Sequence, residues 1–294
     1  MVRELSGHEI DALQYELLVK DIIAAAERLP PFPDIAWKIV SLVKSMAPVK
    51  EIEALIAYDQ AIAAKILRMG NSVYYSRQYE VRSVREAILL LGNTRLLQVV
   101  VAACSTLYYG PGNSPEEREL WEHSVYTALL SQIVARRMRR EENLTLYTAA
   151  LLHDIGNTIL NLYAKIYLHS SLREIRGEND TVKAERRALG IDHQELGAII
   201  SRNWKFPPDI VAAIEHHHNP EKAGKYVEFV SLIYIADALA LSFAGKDDKP
   251  GARIPDPESD PVFKRFNITR TMIDEFQNEL KTGMSDVAKA LASI

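Results

Sequence analysis

The chain has 294 residues, of which 25% are charged and 48% hydrophobic, with a formal net charge of −4. Those figures describe an ordinary globular protein of one large domain or two small ones, and they argue against a dedicated nucleic-acid binder. The single cysteine, Cys104, excludes an internal disulfide framework and fits a reducing compartment.

Residues 1–6 lack the apolar core of a secretory signal. No apolar run is read as approaching the roughly 18 residues of a membrane span, so a cytoplasmic location is expected. Residues 9–28 carry Ile10, Leu13, Leu17, Ile22 and Ala25 at helical spacing. Leu29-Pro30-Pro31-Phe32-Pro33 ends that helix, because proline fixes the backbone and removes donors. Asp34 then caps a helix bearing Ile35, Ile39, Leu42 and Val43. After Pro48, residues 51–58 form a short amphipathic helix. Asp59 offers a cap for residues 60–69, which stop at Gly70-Asn71. Ser83 with Glu86 reads as a capping box for residues 84–91. Gly92-Asn93 interrupts, and residues 94–107 continue as an apolar helix containing Cys104, which reads as a small core residue. Gly110, Pro111, Gly112 and Asn113 mark the clearest subdomain boundary, within 108–115.

Ser114, Pro115, Glu116 and Glu117 form a helix start with acids on the positive end of the dipole. That helix is expected to run to about residue 140, through the basic run Arg136-Arg137-Met138-Arg139-Arg140, which reads as a solvated helix end. Further helices are expected over 144–153, 155–168, 180–189 (ended by Gly190), 192–203, 210–217 and 227–243. Residues 245–261 read as an exposed loop and 269–292 as closing helices. No alternating strand pattern occurs, so the fold class expected is all-α.

One stretch stands apart. Leu151-Leu152-His153-Asp154-Ile155-Gly156 places a His and an Asp at the end of an apolar helix, and an unpaired buried carboxylate is costly. Asp237 lies in the equally apolar Leu232-Ile233-Tyr234-Ile235-Ala236-Asp237-Ala238-Leu239-Ala240 and also needs a partner, either an Arg or Lys or a metal. Six of the eight histidines accompany them as candidate ligands: His123, His153, His193, His216, His217 and His218. Neutral imidazole and carboxylate oxygen suit divalent iron, manganese, zinc or nickel.

The order His, His-Asp, His, His-His, Asp resembles the HD superfamily of metal-dependent phosphohydrolases. The match is sharpest at His153-Asp154, at Asp192-His193-Gln194-Glu195-Leu196-Gly197 and at Ile235-Ala236-Asp237. The wider chain resembles the HDOD family, the regulatory branch of that superfamily. It does so through Leu29-Pro30-Pro31-Phe32-Pro33, residues 59–72, Ala87-Ile88-Leu89-Leu90-Leu91-Gly92, Phe206-Pro207-Pro208-Asp209-Ile210 and His217-His218-Asn219-Pro220. The resemblance implies a multi-helical HD-domain-like bundle with an N-terminal helical subdomain, divided as 1–110, 111–245 and 246–294. It implies one ion held by His123, His153, Asp154 and Asp237, with Asp154 bridging to a second ion held by His193, His217 and His218. His216 has no ligand role in that scheme. One or two divalent ions are expected, with iron or manganese favoured and zinc or nickel as alternatives. Two ions about 3.5–4 Å apart clamp a phosphate and activate a water.

The chain departs from active relatives in two places. Asn157 stands where they carry a lysine that meets a substrate phosphate, and Asn219-Pro220-Glu221 stands where cyclic di-GMP enzymes carry Gly-Tyr-Pro. The leading expectation is therefore a signal-transduction protein with an intact metal site, signalling proteins as partners and a nucleotide or phosphate as ligand. No membrane or nucleic-acid partner is expected. A phosphohydrolase or phosphodiesterase acting on a nucleotide or cyclic dinucleotide is the second expectation, and a helical protein with no metal the third.

Overall fold

The computed structural model describes residues 7–28, 34–57, 60–71, 81–109, 115–140, 144–170, 181–243 and 254–280. Among these there is no strand, so the all-α class holds. The N-terminal helices are α1 (Gly7–Glu27), α2 (Asp34–Lys44), α3 (Val49–Ala57), α4 (Gln60–Gly70) and α5 (Val84–Tyr109). They are followed by α6 (Pro115–Arg137), α7 (Leu144–Leu152), α8 (Ile155–Tyr167), α9 (Thr181–Leu189), α10 (His193–Asn203) and α11 (Pro208–His216). A 3₁₀ segment (Pro220–Tyr226) leads into α12 (Val227–Phe243), and α13 (Pro261–Arg265) and α14 (Arg270–Glu279) close the described chain.

Several expected features lie outside the described residues: the 29–33 break, the Asp59 cap, the Ser114 cap, the Gly110–Asn113 boundary and the part of the 269–292 helices beyond 280. The same holds for residues 245–253 of the expected loop. The structure adds two elements that the sequence reading lacks. The 3₁₀ segment and α13 are both short, and Asp260 caps α13 by accepting from the amides of Val262 (2.8 Å) and Phe263 (3.0 Å).

Local signals place the other helix ends. Ser83 accepts from the Glu86 amide at 3.1 Å, while Glu86 reaches back to the Arg82 amide at 2.9 Å, one residue earlier than in the usual reciprocal box. Asp192 caps α10 by accepting from the Glu195 amide. Gly92 takes φ 69°, ψ 172° inside α5 and breaks the helix where Gly92-Asn93 suggested. This corrects one expectation. Val84–Cys104 is long and apolar enough, by length and composition, to cross a membrane. It is broken at Gly92 and mostly buried among the other helices.

One apolar cluster runs from Ile22 to Leu280. Its centre is α7, buried all round: Leu146, Ala149, Ala150, Leu151 and Leu152 are at most 1% exposed. Fully burying one such leucine stabilises by roughly 1.5–3 kcal/mol. Helix α6 packs along α7 and α12, and α8 crosses α10. Helix α1 docks on this half through Tyr163 Oη donating to Asp21 (2.6 Å) and Asn203 donating to Glu27 (2.9 Å). Its Leu13 and Leu17, part of the apolar pattern, are nevertheless exposed at 47% and 56%. The basic end of α6 is paired: Arg136 with Glu279, Arg137 with Glu275 (2.7 Å) and Arg140 with Glu228 (3.0 Å). Each pair is exposed and contributes at most about 1 kcal/mol.

Asn71, read as a helix stop, does more. Its Nδ2 donates to the carbonyls of Leu67 (3.1 Å) and Val81 (2.8 Å), and its Oδ1 accepts from the Val81 amide (2.7 Å). The side chain thus pairs with Val81 as a neighbouring backbone would. Asn71→Ala is expected to cost about 2 kcal/mol, at roughly 1 kcal/mol net per bond with one bond more exposed. For a chain of this size that lowers Tm by about 3 °C. An unchanged urea midpoint would show that this pairing contributes nothing.

Candidate metal centre

The seven residues expected as ligands converge at the junction of α6, α7, α8, α10, α11 and α12. His123 projects from α6 and Asp237 from α12, and the His123 Nε2 lies 3.0 Å from Asp237 Oδ1. His153 and Asp154 form the two-residue turn between α7 and α8. His193 opens α10, and His217 and His218 form the turn after α11. The sequence left Asp237 with either a basic partner or a metal. Its close ionisable neighbours are histidines: His123, His153 (3.7 Å) and His218 (4.0 Å). His216 belongs to neither candidate group and has Glu215 at 3.9 Å.

Helix ends aim the rings. The last carbonyls of a helix lack intrahelical donors. His153 Nδ1 donates to Ala150 O at 2.7 Å, and His217 Nδ1 donates to Ile214 O at 3.0 Å. Each histidine follows the last residue of its helix and bonds the carbonyl three residues back. A carbonyl only accepts, so each Nδ1 carries a proton and Nε2 is the nitrogen turned to the centre, able to bind a metal once it carries none. His193 Nδ1 has a different partner, Glu185 Oε2, at 2.7 Å.

Asp154 divides the cluster. Its Oδ2 faces His153 (3.7 Å) and His123 (3.8 Å), whereas its Oδ1 faces His217 (3.5 Å) and His193 (3.7 Å). Ligand atoms of His123, His153 and Asp154 lie within 4.8 Å of one another, and so do those of His193, His217 and His218. His193 Nε2 and His218 Nε2 are 3.1 Å apart. That is the spacing of two adjacent ligands on one ion with bonds of ~2.1 Å. Among the described residues, His153 Nε2, His217 Nε2 and Asp154 Oδ1 are buried with no hydrogen-bond partner. Buried polar atoms are rarely left so. The donor set, its spacing and these unsatisfied atoms fit a divalent cation.

Charge is held tightly here. Burial pushes the Asp154 carboxyl up, but His153, His217 and His193 outweigh it and hold the group well below the usual carboxylate range. Asp237 behaves alike, with His123 and His153 opposing its burial. Burial would lower His153, but Asp154, Asp237 and the Ala150 carbonyl raise it to about 9. His217 is pushed down by burial, against Asp154. Burial and the neighbouring His217 and His193 push His218 down. A proton on His153 therefore balances the carboxylates when no metal does. His218, with 39% of its side chain exposed, marks the mouth of the site, and the other six are at most 11% exposed.

Two features of the site escaped sequence reasoning. Glu185 is one: it lies in a short, highly charged helix where nothing distinguishes it. The other is the role of Gly156 and Gly197. A Cβ on Gly156 would lie 1.9 Å from the His193 carbonyl oxygen, and one on Gly197 would lie 2.7 Å from Ile214 Cγ2. The two glycines let α8 and α10 touch backbone to backbone, which brings His193 against Asp154.

Gly156→Ala is therefore expected to cost about 3 kcal/mol by overpacking against main chain and to abolish metal uptake. Gly92→Ala meets no atom within 4 Å and pays only for a backbone at φ 69°, ψ 172° that is open almost solely to glycine, about 1–3 kcal/mol, with metal uptake unchanged. Equal loss of metal uptake in the two variants would refute the crossing argument. Metal uptake must also displace the His153 proton. Apparent metal affinity is expected to rise with pH until about 9, where His153 titrates, with proton release seen by calorimetry in buffers of different ionisation enthalpy. A pH-independent affinity would contradict this.

A family model of the HDOD domain matches residues 29–220, more than half of the chain. A ribonuclease Y of Thermus thermophilus is 29% identical over 168 residues, covering 57% of this chain and 23% of that protein. The chain spans less than half the length of the first curated relatives it matches. Among solved structures, an HDOD domain protein of unknown function from Geobacter sulfurreducens aligns with a TM-score of 0.71 at 21% identity, covering 95% of this chain and 98% of that one. An inferred metal-dependent phosphohydrolase of Shewanella amazonensis aligns with a TM-score of 0.62 at 18% identity, covering 96% and 98%. At such identities the structural likeness speaks to the fold, and it agrees with the family match: this chain belongs to the HDOD domain family.

Proposed function

We propose that this chain is an HDOD regulatory module, cytoplasmic, built around a dinuclear divalent-metal centre and read out by signalling-protein partners. The observation that carries the metal reading is the division of Asp154, whose Oδ2 serves the His123/His153 side and whose Oδ1 serves the His193/His217 side. In this reading His123, His153, Asp154 and Asp237 hold one ion, and Asp154, His193, His217 and His218 the other. Iron or manganese is favoured by the mixed imidazole and carboxylate donors, with zinc or nickel as alternatives. Ions there would supply Lewis acidity and a template for a phosphate group.

The regulatory part rests on Asn157. It is 5% exposed and uncharged on the first turn of α8, so it offers no cation to a substrate phosphate. Residues 1–110 then serve as the N-terminal helical part, 111–245 as the metal-binding part and 246–294 as the C-terminal part. A second reading, metal-dependent hydrolysis of a nucleotide or cyclic dinucleotide, is favoured by the exposed position of His218 and by the ribonuclease Y relatives, which are RNA hydrolases by name.

The deciding measurement is elemental analysis after reconstitution with Fe(II) or Mn(II), followed by turnover assays on nucleotides and cyclic dinucleotides. About two ions per chain, lost in Asp154→Ala, with no turnover is the expected outcome. Metal-dependent turnover that disappears in Asp154→Ala would replace the regulatory reading with the hydrolase. Failure to bind any ion would remove the metal centre.

A further inference from the structure

Each half of the cluster has a different supply of negative charge. Besides the shared Asp154, the His123/His153 side has Asp237 at 3.0 and 3.7 Å, whereas on the other side only His218 comes near Asp237, at 4.0 Å. The His193/His217/His218 group contains no carboxylate of its own. Directly behind it lies Glu185, whose side chain is 0% exposed. Its Oε2 accepts from the His193 backbone N–H at 2.9 Å and from His193 Nδ1 at 2.7 Å.

A buried carboxylate is an expensive way to hold a ring, because its charge must leave water. The two comparable rings are held without one: His153 and His217 use main-chain carbonyls at 2.7 and 3.0 Å. Orientation alone therefore does not call for a charge at this position. The surroundings deliver the carboxylate firmly. Gly190, at φ 76°, turns the chain after α9. Arg186 ties α9 to the start of α10, reaching Asp192 at 2.5 Å and Glu195 at 2.9 Å.

From this geometry we infer that Glu185 is a positioning residue that supplies the missing counter-charge of the His193/His217/His218 half and so sets the occupancy of its ion. The inference rests on the metal-centre reading above. The carboxylate keeps the proton on Nδ1 of His193. It directs Nε2 toward Asp154 Oδ1 at 3.7 Å and toward His218 Nε2 at 3.1 Å. A carboxylate behind a ligating imidazole also strengthens the imidazole as a donor, and loss of such a partner typically weakens metal binding 10–100-fold. Each ion would then have one carboxylate to itself, Asp237 directly or Glu185 through His193, in addition to the shared Asp154.

The test is Glu185→Gln in the full chain, titrated with manganese(II) chloride by calorimetry and followed by electron paramagnetic resonance. Glutamine keeps the size and an acceptor oxygen, so a purely structural role survives the substitution. The expected result is one ion bound within about twofold of the wild-type affinity and the second weakened about 10–100-fold. The coupled two-ion signal of the wild type is then replaced by that of a single ion. Two ions bound with wild-type affinities would overturn the inference while leaving the metal centre standing. A wild-type chain that binds no manganese would overturn the metal centre itself, and this inference with it. A measurement on the unmutated protein covers a variant that fails to fold. Nitrogen NMR of the metal-free chain is expected to find His193 as the Nδ1–H form, with manganese broadening Nε2 first. An Nε2–H form would overturn the inference directly.

Discussion

Two carboxylates, Asp154 and Asp237, sit almost out of water among five imidazoles, and most of this architecture serves to make that arrangement tolerable. An isolated charge in such a place is prohibitive. Here the charges face each other at short range in a medium of low polarity, where attraction is strong. The apolar helices that exclude water are thus the same elements that strengthen the electrostatics. Helix α7 is the clearest case: it is buried all round and ends directly in His153-Asp154.

Two of the candidate ligands are oriented by main chain rather than by other side chains. His153 and His217 satisfy carbonyls left over at the ends of α7 and α11, so helix termination and ring orientation are one event. Gly156 and Gly197 remove the side chains that would keep α8 and α10 apart. His193 then enters through the first turn of α10, capped by Asp192 and backed by Glu185. Displacement at any of these points moves an atom that faces Asp154, which explains why one residue couples four neighbouring elements.

Completeness of a ligand set and ability to turn over a substrate are separate properties. The first depends on the buried cluster. The second also needs a cation or donor that strengthens its contact as charge develops in a substrate. In the reading proposed for this chain, Asn157 and the surroundings of His218 belong to the second property, and the paired carboxylates to the first. The basic run at 136–140, read as a solvated helix end, pairs Arg136, Arg137 and Arg140 with Glu279, Glu275 and Glu228. It serves to fasten α6 to α12 and α14.

Much of this was legible in one dimension. Helical periodicity, the cap at Ser83 and the break at Gly92 depend on local backbone chemistry, so they appear as local patterns. The ligand residues stood out because polar groups in apolar runs need partners. Short elements such as the 3₁₀ segment and α13 carried too few residues to show a period. Leu13 and Leu17 showed that a period alone does not say which apolar positions are covered. Glu185 was invisible because a glutamate among charged neighbours looks solvated until the fold buries it. The sequence by itself determined the helices, their ends and the residue types able to hold a metal, since these follow from interactions within a few residues. Only the tertiary structure decided that Asp154 faces both halves of the cluster, that two glycines meet at a helix crossing and that Glu185 backs His193. Those are contacts between distant segments, and their geometry is set by how whole helices pack.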